Sequence, residues 1–108
     1  MPDHSAYIED IAKYTTDVSA SAVAGIVKHL GIALSGRDSS LVSCSDQSEL
    51  DRVRESWCKK KLALTDDDAT LNATISAVCQ EMSADLSKHR VTFYYLVAEK
   101  HGKLADLS

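Results

Sequence analysis

The sequence predicts an all-α fold, one small domain over 1–108 with about five helices. Three observations carry that reading. Apolar residues recur at spacings of three and four along most of the chain, the period of one helix face. Ser, Thr or Asp stands where several of the helices should begin. The only proline is Pro2, and the one strand-like stretch, VTFYY, has no second segment to pair with. A lone strand is not stable. A length of 108 residues suits one domain.

The first helix is expected over 4–15, with Tyr7, Ile8, Ile11 and Tyr14 on one stripe and Asp3 or Ser5 as the cap. The branched Thr15 and Thr16 weaken its end. The second is expected over 20–35, capped by Ser19, with Val23, Ile26, Val27, Leu30, Ala33 and Leu34 in register. Gly25 and Gly31 fall inside it, at a cost of roughly 1 kcal/mol each relative to alanine. Gly25 lies among small residues, which points to close approach by another helix. Gly36 is the expected C-terminal glycine. An end at Gly31 is the alternative, disfavoured because the stripe continues to Leu34.

Residues 37–46 read as a linker whose Leu41 and Val42 tuck into the core. Asp46 and Glu49 form a capping pair for a third helix over 47–61, with Leu50, Val53, Trp57 and Cys58 inward. Thr65 and Asp68 repeat the pattern for a fourth over 66–86, which turns Leu71, Ile75, Val78, Cys79, Met82 and Leu86 to one side. The fifth, 90–101, is rich in β-formers. It nevertheless ends as helices do, with Lys100 and His101 before Gly102. Leu104 can fold back after that glycine.

Lys and Arg total 12 against 16 Asp and Glu, a net charge of −4. That balance gives no reason to expect nucleic acid as a partner. No apolar run approaches a membrane span, and MPDHSAYIED lacks the basic start and apolar run of a secretory leader. Cys44, Cys58 and Cys79 are odd in number and widely spaced, so neither a disulfide framework nor a zinc site is expected. Reduced thiols and a cytoplasmic location follow. No cofactor and no metal are expected.

The stretch LVSCSDQSELDRVRESWCKKKLALTD resembles a family of small bacterial proteins known only as a domain of unknown function. YIEDIAKY and IVKHLGIAL upstream and RVTFYYLVAEKHGKL downstream carry the same resemblance. It spans nearly the whole chain and implies a short, helical, bacterial protein. It brings no activity, ligand or catalytic residue.

The residues themselves supply few constellations. Arg52, Arg54, Lys59, Lys60 and Lys61, with Lys88, His89 and Arg90, read as a solvated face interleaved with carboxylates, Glu55 and Lys59 being a favourable pair. Asp66, Asp67 and Asp68 suit a first turn. Cys58 and Cys79 read as buried hydrophobes. Cys44, just ahead of a helix, reads as the exposed thiol. Arg37, Ser39 and Ser40 beside Gly36 make a weak anion cradle without the full phosphate-loop pattern. No catalytic set emerges.

FYYLV carries bulky side chains around the whole helix. Tyr94, Tyr95 and Val91, with Trp57, are therefore the candidate interface, and a homo-oligomer or a protein partner is expected. The favoured function is a non-enzymatic helical module for protein interaction or self-association. The alternative is a small-molecule or anion-binding protein, or an enzyme, built on linker 36–46 with Arg37, Ser39, Ser40 and Cys44.

Overall fold

The structure, a computed structural model, describes residues 5–16, 18–31, 41–84 and 88–107. Among these residues six α-helices follow in order: α1 (Ser5–Ile11), α2 (Ala20–Leu30), α3 (Gln47–Arg52), α4 (Asp68–Glu81), α5 (Arg90–Lys100) and the single turn α6 (Leu104–Leu107). Between α3 and α4 the chain continues without a break as a π-helix, Val53–Lys61. The expected all-α fold is what forms. Among the described residues the only sheet-like pairing is one antiparallel bridge between Leu41 and His89.

The beginnings of helices were the best-encoded features. Ser19 accepts a hydrogen bond from the Ala22 amide at 3.2 Å, and Asp46 from the Ser48 amide at 3.0 Å. Each satisfies a backbone donor that the helix itself leaves open. For α4 the cap is Asp67, which accepts from the Thr70 amide at 2.8 Å. Thr65, the residue expected there, lies two residues too early. Among three consecutive aspartates the period alone did not say which would cap.

Three ends differ from expectation, the first being α1, which stops at Ile11 and not at residue 15. α2 stops at Leu30, and Gly31 caps it at φ 46°, a conformation that favours glycine. The longer version, to residue 35 with Gly36 as cap, is thereby corrected up to Gly31; residues 32–40 lie outside the described residues. α4 stops at Glu81, with Met82 as its cap, not at residue 86.

The third helix keeps its expected span but changes its winding at Val53. Val53 and Cys58 are five apart, as are Trp57 and Leu62, and all four are buried. That spacing fits i→i+5 hydrogen bonding, which brings every fifth residue near one line. The π-helix ends through Leu62 and Leu64 amides that reach back to the Trp57 and Cys58 carbonyls, both at 2.9 Å. Ala63, between them, takes a left-handed φ of 53° to make that turn.

α5 is the central rod. It contacts α1, α2, α4, α6 and the π-helix, and every residue from Arg90 to Ala98 is buried. Its all-round hydrophobicity is the signature of an enclosed helix. Trp57 stacks on Tyr94 with ring centres 4.6 Å apart, and its indole N–H donates to the Tyr94 carbonyl at 3.1 Å. The Tyr95 hydroxyl accepts from the Ser19 amide at 2.9 Å. α1 is pinned to α5 by the Thr92 hydroxyl, which donates to the buried Asp10 carboxylate, itself paired with Lys13.

Candidate functional site

The interface expected from the sequence is not on the surface. Tyr94 is 4% exposed, and Tyr95, Val91 and Trp57 are fully buried. Both faces of α5 are covered by the chain's own helices, so these residues lie in the core of the chain. The reason is geometric. The C-terminal turn α6 packs on α2 and α5 and, together with α1, supplies the cover.

The thiol reading is corrected as well. Cys44 and Cys79 form a disulfide across 35 residues of sequence, with Cα atoms 5.9 Å apart. Cys44 is therefore not a free thiol in this structure, and both partners are half-buried. Helical packing brings together two cysteines whose spacing revealed nothing. Cys58 alone remains free, buried, with burial pushing its thiol pKa up to about 11. Of the other alternative-site residues, Arg37, Ser39 and Ser40 lie outside the described residues.

Two concavities carry polar chemistry. The first, about 690 Å³, lies between residues 41–46 and the starts of α3 and α5. Its floor is Arg90, whose side chain is only 7% exposed. The guanidinium donates to the Leu41 carbonyl at 3.0 Å and the Tyr94 hydroxyl at 3.3 Å, and it is ion-paired with Glu49. Arg52, Lys88 and Asp46 lie at the rim. A buried guanidinium is stable when its donors are paired in this way.

The second concavity, about 720 Å³, lies where α2, the end of the π-helix and α6 meet. Ser21, Ala24 and Gly25 form the α2 wall, and Leu107 closes the far side. Lys28, His29 and Lys61 line it, and no carboxylate does so among the described residues. Neither lysine has an ion-pair partner among those residues, whereas Lys59, two positions away from Lys61, binds both Glu55 and Asp68. The His29 ring lies against Trp57, with centroids 5.2 Å apart. Partial desolvation, and then the charge of Lys61, lower the pKa of the exposed His29 below its ordinary 6.5.

Lysines at helix C-termini offset the helix dipole and need no ligand for that role. What distinguishes this pair is convergence from two separate helices on one cavity with no compensating carboxylate among the described residues. Lys61 reads in the sequence as part of a solvated face, and it is exposed in the structure. Lys28 lies four residues after Ala24 and three after Gly25, a small-residue face of α2 that leaves room beside it. That was the available signal.

Helices wrapped on a buried central rod, with two polar concavities, define a small all-α protein. Residues 6–105 match the family described as a protein of unknown function, DUF2853, and the chain belongs to it. Curated proteins returned no match. No helix among the described residues is long and apolar enough to cross a membrane.

Proposed function

We propose that this protein binds a small anionic molecule in the cavity between α2, the π-helix and α6. The observation that supports the reading is the convergence of Lys28, His29 and Lys61 on a cavity that no carboxylate lines among the described residues. Its volume, about 720 Å³, falls within the range of small-molecule sites. Two ammonium groups and an imidazole suit a compact group with at least two negative charges, such as a phosphate ester or a dicarboxylate. Association with itself or another protein was expected to use α5, whose residues Arg90 to Ala98 are buried within this chain.

Calorimetric titration with inorganic pyrophosphate tests the proposal, with chloride at equal ionic strength as the control. Lys28→Ala and Lys61→Ala should each weaken binding about tenfold, the loss of roughly 1.4 kcal/mol of charge-assisted hydrogen bonding. Lys60→Ala, a neighbour outside the cavity, should leave it unchanged. Equal effects of all three substitutions would reduce the result to general charge and contradict the proposal.

A further inference from the structure

The anion cavity makes no use of the disulfide. Cys44 belongs to segment 41–46 and lines the first concavity, while Cys79 sits near the end of α4. Neither cysteine is fully buried. Exposed disulfides tend to be the labile ones, whereas structural bridges resist thiols. The cleft of about 690 Å³ beside Cys44 is large enough for a small-molecule thiol.

The charges lining the cleft do not balance among the described residues. Asp46 is committed to the start of α3, accepting from both the amide and the hydroxyl of Ser48. Glu49 is shared between Arg90 and Arg52. The Arg52 side chain is nevertheless 65% exposed, and Lys88 lines the same cleft. Among the described residues the lining therefore carries three cations, Arg52, Lys88 and Arg90, against two carboxylates, Asp46 and Glu49, and is net positive. The third cysteine offers no route for internal shuffling, because Cys58 is buried and its thiol is held protonated at neutral pH. A thiolate that opens the bridge must come from outside.

We propose that Cys44–Cys79 is an exchangeable disulfide and that the cleft beside Cys44 admits a small thiol bearing a carboxylate. The incoming thiolate attacks Cys44 Sγ. A bond forms between the two sulfurs as the Cys44–Cys79 bond breaks, and its electron pair leaves on Cys79 Sγ, which takes a proton from water. One disulfide replaces another, so there is no net oxidation or reduction in this step. A second small thiolate that attacks the mixed disulfide at the small-molecule sulfur releases the oxidised small thiol and leaves both cysteines reduced.

The test treats the oxidised, folded protein with reduced glutathione, an anionic thiol, or with cysteamine, a cationic one. Reactions are stopped with acid and the adduct is located by peptide mass spectrometry. The adduct is expected on Cys44. Relative to an uncharged linear disulfide, and per unit thiolate, glutathione should gain about tenfold over cysteamine, the lower end of electrostatic enrichment in charged clefts. Arg52→Ala, at an exposed side chain, should reduce that gain. An adduct on Cys79, reaction only after unfolding, or no charge preference overturns the proposal. So does a protein isolated with three free thiols that oxidised glutathione fails to convert to the Cys44–Cys79 bridge.

Discussion

The carbonyl of Leu107 occupies the space that a Cβ on Gly25 would need. The contact joins the last turn of the chain to the middle of α2, and it closes one side of the basic cavity. Helix propensity alone favours alanine over glycine at residue 25 by roughly 1 kcal/mol. Here the opposing atom belongs to backbone, so it cannot move aside as a flexible side chain would.

Gly25→Ala should therefore destabilise the protein, by about 1–3 kcal/mol, as overpacking of a close contact does. Urea unfolding followed by circular dichroism measures the change. The same variant should weaken pyrophosphate binding, since α6 must shift. An increase in stability would mean that α6 is not docked on α2.

The disulfide closes a loop that contains α3, the π-helix and most of α4. In the chain-entropy account a loop of this length contributes about 4 kcal/mol by restricting the unfolded chain. Marginal stability makes that a large share of the total. Unfolding with and without a phosphine reductant should show a lower urea midpoint in the reduced protein. A Cys44→Ser, Cys79→Ser double variant should match the reduced protein and be insensitive to reductant.

Ala63 provides a change of the opposite sign. Its left-handed φ of 53° allows the Leu64 amide to reach the Cys58 carbonyl at the end of the π-helix. A residue with a Cβ is strained there by roughly 1 kcal/mol, and its side chain is exposed, with no packing to lose. Ala63→Gly should raise stability by about 0.5–1 kcal/mol, the relief being partly offset by a freer unfolded chain. The urea midpoint reads it.

Helix starts were legible because a cap is a local signal: Ser19 and Asp46 stand directly before the residues whose amides they bind. The burial of Leu71, Ile75 and Val78 was legible from their period. The change of winding at Val53 also left a trace, the five-residue spacings of Val53 to Cys58 and Trp57 to Leu62, but the stripe fitted an α-helix well enough to hide it. Whether Tyr94 and Tyr95 are central or exposed was not legible. An enclosed helix and an interface helix look alike in sequence, and the choice depends on how much cover the other elements provide. The Cys44–Cys79 bridge and the approach of Lys28 to the cavity that also holds Lys61 arise from long-range packing. No local pattern records the bridge, and only the small Ala24 and Gly25 beside Lys28 hint at the cavity.

The central claim concerns the charge in the basic cavity, and His29 reports it. In the folded protein, partial desolvation and the charge of Lys61 favour the neutral imidazole, so His29 titrates below 6.5. On acidification the unfolded chain takes up this proton first. The contribution of His29 to stability is thus present above 6.5 and is lost as pH falls below that value. An anion seated between Lys28 and Lys61 favours the imidazolium and reverses the shift. The direct measurement is an NMR pH titration of the His29 ring in sulfate, a fixed dianion over this range, against chloride at equal ionic strength. The account predicts a depressed His29 pKa in chloride, a rise in sulfate, and loss of that rise in the Lys28→Ala, Lys61→Ala double variant. Identical His29 titration curves in sulfate and chloride at saturating concentrations would contradict it.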